Sequence, residues 1–192
     1  MEKIILCITG ASGTVYGIRL LNELVKTHHV YLVVSESAFT VMEKETGINR
    51  EHFLKSLPEN CTFYSQDEID APISSGTMLI KTKGVIVAPC STGTLGAVAS
   101  GISSNLIHRV CDVALKEGKK VFLLIREMPL SLIHIKNMEK VIQAGGTVAV
   151  ASPGFYTNPE TVDDMVDFVV GKVLDSLRIK HNLLKRWRDE DF

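Results

Sequence analysis

A glycine-rich turn follows the first apolar segment of the chain. The run from Lys3 to Thr9 ends in Gly10-Ala11-Ser12-Gly13, and a helical pattern begins directly afterwards. A turn between a buried strand and a helix presents unpaired backbone N–H groups and the positive end of the helix dipole, which together favour a phosphate. The spacing is Gly-x-x-Gly, not the Gly-x-Gly-x-x-Gly of dinucleotide-binding folds. The turn is a candidate phosphate site, and a tight connection that needs a positive φ is the alternative.

Two further loops place hydroxyl groups after apolar segments. Ser35-Glu36-Ser37 follows Val30–Val34, where NAD-binding folds often carry an acidic residue for the ribose; a helix N-cap at Ser35 or Ser37 is the alternative. The other loop, which follows Val85–Ala88, runs from Pro89 to Thr94. Its backbone N–H and side-chain O–H donors suit a second phosphate or the polar edge of a heteroaromatic ring, and a capped turn is again the alternative.

A charged pair follows another apolar segment, Val121–Ile125. Arg126 and Glu127 stand at the end of a strand that should be buried, where unpartnered charges are costly. This position favours a functional site over a solvated rim. After the last predicted strand, Pro153-Gly154-Phe155-Tyr156 adds an aromatic hydroxyl.

The elements that must position these loops alternate along the chain. Near-continuous apolar runs are typical of parallel strands buried on both faces; they are Ile4–Ile8, Val30–Val34, Val85–Ala88, Val121–Ile125 and Thr147–Ala151. Helical patterns lie between and after them, at Thr14–Lys26, Ala38–Glu45, Arg50–Leu57, Leu106–Glu117, Ile135–Ala144 and Val162–Leu177. Asn49 is a predicted helix cap, and Asn158-Pro159 is predicted to open the last helix. This order predicts a three-layer α/β fold with a doubly wound parallel sheet and ligands at the carboxyl ends of its strands.

Composition limits the class of protein. The chain of 192 residues is long enough for one domain, and its net charge of −1 does not favour a nucleic-acid or anionic-membrane partner. No apolar run reaches the roughly 18 residues of a spanning helix, and we expect a cytoplasmic protein without a signal peptide. The cysteines form no Cys-x-x-Cys pair, which favours reduced thiols and no structural metal. With 45% hydrophobic against 22% charged residues, we expect a homo-oligomer.

Six segments of the chain together resemble the UbiX-type flavin prenyltransferases. They occur in the same order as in that family, and the resemblance covers nearly the whole chain. The matching segments are GASGTVYGIRLL, Ile73–Gly76, APCSTGTL, NLIHRVCDVALKEGKK, REMPLS and PGFY. The resemblance implies a flavodoxin-like fold, assembled as a dodecamer with the active site at a subunit interface. It implies transfer of a dimethylallyl group from dimethylallyl monophosphate to reduced FMN, at N5 and then C6, without a metal. The prenylated FMN then serves a UbiD-type decarboxylase as cofactor.

The same resemblance assigns residues to roles. Those that it implies for FMN are Gly10, Ala11, Ser12, Gly13, Ser35, Ser91, Thr92, Gly93, Thr94 and Arg126. Those that it implies for the allyl phosphate are Arg109, Lys116, Glu127, Tyr156 and Lys172, with Glu127, Lys116 and Arg109 as the catalytic set. Glu127 is expected to pass a proton to the departing phosphate. Arg109 and Lys116 stand seven residues apart, which is about two helical turns, so both should leave one helix face.

One position departs from the family pattern, because Lys172 stands where the family commonly has Arg. A lysine keeps the charge but lacks the bidentate fork of a guanidinium. The resemblance further suggests one flavoprotein domain at residues 1–178 and a tail at residues 179–192 that contacts a neighbouring subunit, with Trp187 in that tail. Two alternatives are an FMN-dependent cysteine decarboxylase and a flavin-carrying subunit without chemistry. Asp67–Ser75 contains no His, which speaks against the decarboxylase.

Overall fold

A single six-stranded sheet forms the centre of the molecule, which is seen here in a computed structural model that describes residues 1–184. All neighbouring strands are parallel, and their order is β3-β2-β1-β4-β5-β6. The strands are β1 Glu2–Ile8, β2 His28–Val34, β3 Cys61–Ser65, β4 Thr82–Cys90, β5 Lys120–Ile125 and β6 Thr147–Val150. The five predicted strands are confirmed, whereas the edge strand β3 was not predicted. The order reverses between β1 and β4, and such a switch point is where doubly wound sheets bind their ligands.

Helices cover both faces of this sheet. Within residues 1–184 they are α1 Thr14–Leu24, α2 Glu36–Thr46, α3 Arg50–Lys55, α4 Gly76–Leu79, α5 Thr92–Ala99, α6 Leu106–Lys116, α7 Leu132–Gln143 and α8 Val162–Ser176. Helices α1, α2, α3 and α8 pack with the side chains of one sheet face, and α4 to α7 pack with those of the other. Ile4 and Leu6 of β1 belong to the first cluster and Ile5 and Cys7 to the second, all fully buried. Because both faces are covered, the strands are continuously apolar, as the three-layer prediction requires.

The helix ends show which local signals the chain uses. Asn49 caps α3 as predicted, since its side chain accepts a hydrogen bond from the His52 N–H at 2.9 Å. The prediction that Asn158-Pro159 opens α8 was wrong. The cap is Thr161, whose hydroxyl accepts from the Asp164 N–H while the Asp164 carboxylate accepts from the Thr161 N–H. This reciprocal capping box satisfies two end groups at once, which fixes the helix start there.

The last described residues fold back on α8. The His181 ring lies 3.1 Å from the Asp175 carboxylate, and a Cβ on Gly171 would collide with Leu184. The segment from residue 179 to 184 therefore packs on its own chain, and the domain boundary at residue 178 stays a prediction. Trp187 and the rest of the tail, residues 185–192, lie outside the described residues. None of the helices between residues 1 and 184 is both long and apolar enough to cross a membrane.

Candidate functional site

The N-terminus of α1 is occupied by a carboxylate of the chain itself. The Gly13 N–H donates to Glu45 Oε1 at 2.9 Å, and the Thr14 N–H and hydroxyl donate to Glu45 Oε2 at 3.0 and 2.8 Å. Gly13 has a φ of 98°, so the turn does need the left-handed conformation that glycine adopts without strain. These donors are among those that the sequence assigned to a phosphate. Sequence reasoning missed Glu45, because nothing near it in the chain points to a partner 31 residues away.

The contacts of Glu45 favour its charged form. Partial burial raises the pKa of this carboxyl, but hydrogen bonds from Ser12, Gly13 and Thr14 outweigh that effect, and the pKa lies below its ordinary value. The ionised carboxylate is thus the form that holds the turn.

The other end of the turn faces the loop after β2. A Cβ on Gly10 would collide with the side chain of Ser37, so the backbone there approaches α2 closely. The Ser35 and Ser37 hydroxyls lie 3.0 Å apart. Ser35 Oγ also accepts from the Ala38 N–H at 3.1 Å, which confirms that this residue caps α2. The Glu36 carboxylate is engaged by Arg50 at 2.8 Å. Glycine and two hydroxyl groups therefore meet beside the strand end.

A buried threonine joins the first turn to the loop after β4. Thr9 Oγ1 donates to the Pro89 carbonyl at 2.8 Å and accepts from the Ser91 N–H at 2.7 Å. Ser91 in turn caps α5, because its hydroxyl accepts from the Thr94 N–H at 3.2 Å. A Cβ on Gly93 would meet only the Ser91 hydroxyl, at 3.9 Å, and the first N–H groups of α5 have no carbonyl partner within the helix. Thr9 thus fixes two loops on either side of the switch point.

Arg126 completes this group from the end of β5. Its Nε donates to the Ser12 carbonyl at 3.1 Å, which means that the side chain reaches across the end of β4 to the first turn. The structure therefore brings together the residues that the resemblance assigned to FMN from four separate segments. They lie at the carboxyl edge of the sheet, as the fold rule predicts.

A cavity of about 410 Å³ adjoins Arg126. Its walls come from the ends of β5 and β6, and the lining residues are Arg126, Glu127, Met128, Pro129, Leu130, Val150, Ala151 and Ser152. Glu127 is partly exposed, and its carboxylate accepts from the Met128 N–H at 3.1 Å. An acidic side chain therefore lines an open cavity next to the group of loops.

Tyr156 lies in the short 3-10 turn Phe155–Thr157, which precedes α8, and Lys172 lies on α8. The Tyr156 ring meets Phe168 edge to face, with centroids 5.7 Å apart, and Lys172 is one helical turn beyond Phe168. Lys172 lines a small cavity together with Ser152, and Ser152 also lines the cavity of Glu127. Ser152 was not singled out from the sequence, since a serine after a strand is common.

Arg109 and Lys116 both belong to α6, as expected, but they occupy its opposite ends. Arg109 lies near the carboxyl edge of the sheet and pairs with Asp112 at 3.3 Å, whereas Lys116 ends the helix and pairs with Glu117 at 2.7 Å. The strand β5 separates Lys116 from Glu127, and its six residues span about 20 Å. One chain therefore does not bring Lys116 to Glu127.

An apolar surface surrounds the cavity of Glu127. Met128 is 87% exposed, and on α7 Leu132 and Ile133 are 66% and 72% exposed. Contiguous exposed apolar groups of this kind mark association surfaces. Among residues 1–184, His, Cys, Asp and Glu side chains form no group of three or more that could hold a metal ion.

Comparison with known proteins identifies the family. The model of the Flavoprotein family matches residues 1–174. The flavin prenyltransferase UbiX of Aquifex aeolicus is 50% identical over 189 residues, which cover 98% of this chain and 100% of the relative. The chain belongs to the UbiX flavin prenyltransferase family.

Solved structures agree with this family at the level of the fold. AnUbiX, solved in complex with FMN and dimethylallyl pyrophosphate, superposes with a TM-score of 0.92 at 34% identity, covering 97% of each chain. A dodecameric FMN-dependent UbiX-like decarboxylase from Escherichia coli O157:H7 gives a TM-score of 0.91 at 39% identity, covering 97% of this chain and all of that one. The prediction of a UbiX-type flavoprotein with a doubly wound parallel sheet is confirmed.

Proposed function

We propose that this protein transfers a dimethylallyl group from dimethylallyl monophosphate to reduced FMN. The observation that carries the proposal is the group of loops at the switch point, where Thr9 and Arg126 join three segments next to the cavity of Glu127. A flavin bound at these loops and an allyl phosphate in the cavity would be neighbours. Family membership at 50% identity to a flavin prenyltransferase agrees with this arrangement.

The residues fit FMN. Gly10 admits close approach of a phosphate to the backbone, and the Ser35 and Ser37 hydroxyls lie beside it. Since Glu45 fills the end of α1, the FMN phosphate binds on the Gly10 side of the turn and not at the helix terminus. Arg126 and the loop from Ser91 to Thr94 offer donors to the carbonyl edge of the ring. When bound in its reduced form, the flavin supplies an electron-rich acceptor for the allyl group.

The protein's own contribution is to stabilise the departing phosphate. Glu127 donates a proton to that phosphate as its bond to the allyl carbon breaks. Tyr156 and Lys172 hold the phosphate from the α8 side, where Ser152 lines both the cavity of Lys172 and that of Glu127. Charge on the phosphate grows as the bond breaks, so these groups act more strongly in the transition state than on the bound donor.

The site is completed by a second copy of the chain. Strand β5, about 20 Å long, separates Lys116 from Glu127 within one chain, so the role of this lysine at the allyl phosphate needs the Lys116 of a neighbouring copy. Arg109, on the same helix, serves the same phosphate. The exposed apolar residues of α7 next to the cavity are the surface on which the copies associate, in a dodecamer like that of the UbiX-like relative.

The product passes to a UbiD-type decarboxylase, the recipient that the family resemblance implies. The protein works in the cytoplasm, in agreement with the free thiols of Cys7, Cys61, Cys90 and Cys111. Besides packing on α8 of its own chain, the C-terminal tail from residue 179 is proposed to contact a neighbouring subunit.

The test is the mass of the flavin after anaerobic incubation of the protein with reduced FMN and dimethylallyl monophosphate. We expect FMN to gain one C5 unit, and no gain when the donor is omitted. A parallel reaction with the diphosphate measures donor preference. A protein that binds FMN but leaves its mass unchanged with both donors is a flavin carrier, and release of CO2 from a cysteinyl substrate would identify a cysteine decarboxylase.

A further inference from the structure

Gly76 ends the segment Ile73–Gly76, one of the six that resemble the family, and it begins α4. A Cβ at this position would collide with the side chain of Glu117, since it would lie 2.5 Å from Oε1 and 3.2 Å from the carboxyl carbon. The φ of Gly76 is outside the left-handed region, so the backbone itself does not need a glycine here. The glycine is explained instead by the space that the Glu117 carboxylate occupies.

The same carboxylate holds Lys116, the last residue of α6. Lys116 Nζ donates to Glu117 Oε1 at 2.7 Å. Successive residues inside a helix do not face each other, but Glu117 is the C-cap, and Gly118, with a φ of 64°, turns the chain away from the helix. The negative end of the α6 dipole favours Lys116 and disfavours a carboxylate. The helix end therefore does not account for an acidic residue at this position.

Helix α4 is fixed against the end of α6. Lys119 Nζ donates at 3.1 Å to the carbonyl of Ile80, the C-cap of α4, and the two helices also pack together within one apolar cluster. The backbone of Gly76 is thereby held beside the Glu117 side chain. One oxygen atom, Oε1 of Glu117, thus lies against the Gly76 backbone and accepts the hydrogen bond from Lys116.

The pair of Lys116 and Glu117 is too exposed to contribute much to stability. The two side chains are 57% and 31% exposed, and ion pairs at such positions add little to the free energy of unfolding. An ammonium group has three donors, so Lys116 can bind Glu117 and still offer N–H groups to a phosphate. A lysine that is already held in place also loses less side-chain entropy when it binds a ligand.

We propose that Glu117 is a positioning residue for Lys116. Its carboxylate holds the ammonium group where the allyl phosphate of a neighbouring copy binds, and Gly76 leaves the space that this carboxylate needs. The role rests on the proposed function, which assigns Lys116 to the allyl phosphate. It concerns the affinity for the allyl donor and not the binding of FMN, whose residues lie at the opposite edge of the sheet.

The test measures the dissociation constant of dimethylallyl monophosphate by calorimetry. The protein is loaded with oxidised FMN, which is not electron-rich, so that no allyl group is transferred during the measurement. We expect Glu117→Ala and Gly76→Ala each to weaken donor binding about threefold, in the range of an exposed ion pair. Glu117→Gln keeps one acceptor oxygen and should fall between the wild type and Glu117→Ala. Glu51→Gln is the matched control, because it breaks a lysine–glutamate pair of 2.6 Å on α3 and should bind the donor like the wild type.

Two double variants separate positioning from a general loss of structure. Gly76→Ala should cost nothing further in the Glu117→Ala background, where the colliding side chain is gone. Glu117→Ala should likewise add nothing to Lys116→Ala, if it acts through that lysine. Gly76→Ala should be at least as stable as the wild type in urea, because alanine is the better helix former. The affinity for FMN should be unchanged in Gly76→Ala and in Glu117→Ala.

Donor affinity in Glu117→Ala equal to that of the Glu51→Gln control would refute the proposal. Tighter donor binding would refute it too, since Glu117 would then compete with the phosphate for Lys116. A further loss in the Lys116→Ala background would show that Glu117 acts by another route. If the wild type binds the donor but does not transfer the allyl group to reduced FMN, the proposed function fails while the binding series still tests Glu117.

Discussion

At the scale of single residues, the site depends on two side chains that the sequence did not reveal. Small and hydroxyl residues such as Gly10 and Ser91 could be found, because they directly follow apolar strands. Thr9 and Glu45 could not, since their partners lie 80 and about 31 residues away along the chain. Their roles follow from the fold, which brings the ends of β1, β4 and α2 together.

Replacing Thr9 with Val should destabilise the protein and weaken FMN binding together. The Ser91 N–H would be left unpaired in a partly buried place, which costs about 1–3 kcal/mol, whereas the Pro89 carbonyl would keep the hydrogen bond from the Thr9 backbone N–H. Urea unfolding measures the free energy of unfolding, and Thr9→Ser, which keeps the hydroxyl, is the control. If Thr9→Val were as stable as Thr9→Ser, this hydroxyl would not join the two loops.

Glu45 should make the stability of the protein depend on pH at the acid end. Its folded pKa lies below its ordinary value of 4.5, so its contribution to stability is fully present above that value and is lost as the pH falls through the folded pKa. The difference in free energy of unfolding between the wild type and Glu45→Gln should therefore shrink on acidification. A difference that stays constant between pH 7 and pH 3 would contradict the bonding of the ionised carboxylate.

At the scale of elements, the sequence predicted the buried strands well and the sheet edge poorly. Strands such as β1 are buried on both faces and are continuously apolar. In contrast, β3 has the sequence Cys-Thr-Phe-Tyr-Ser and is partly buried throughout, so no apolar run marks it. The start of α8 was misplaced because Pro159 signals a helix start, whereas the capping box of Thr161 and Asp164 determines it.

Because α6 is followed by β5, Lys116 and Glu127 lie at opposite ends of that strand within one chain. This separation allows a test of whether two copies of the chain share the allyl phosphate site. Lys116→Ala and Glu127→Gln should each be nearly inactive alone. When the two variants are unfolded, mixed in equal amounts and reassembled, about a quarter of the sites should contain both native residues if these come from different copies. Prenylation of FMN should recover to about that fraction. No recovery in a mixed oligomer would place both residues in one chain.

At the scale of the whole molecule, the exposed apolar residues of α7 link assembly to activity. The sequence indicated an oligomer only through its composition, because the exposed face of an amphipathic helix cannot be located without the fold. Ile133 follows the loop from Arg126 to Leu130, which lines the cavity of Glu127, and it is largely exposed. Its position makes it a direct probe of whether the copies meet there.

Ile133→Glu should dissociate the oligomer, because it places a charge in an apolar contact. Light scattering measures the molar mass, and Lys136→Glu on the same helix controls for an added acidic group. We expect smaller particles that still bind FMN but transfer the allyl group at least tenfold more slowly. A fully active monomer would show that one chain holds the complete site.

The most direct test of the proposed allyl transfer is its rate in Glu127→Gln. The rate is measured from the mass of the flavin under anaerobic reducing conditions. Glutamine keeps the size and the hydrogen bonds of Glu127 but cannot deliver an acidic proton to the phosphate. We expect turnover to fall by roughly 10²-fold, in the range for general acids, while FMN binds as tightly as in the wild type. Turnover equal to the wild type would contradict the role of Glu127, and the departure of the phosphate would then rest on the surrounding cations alone.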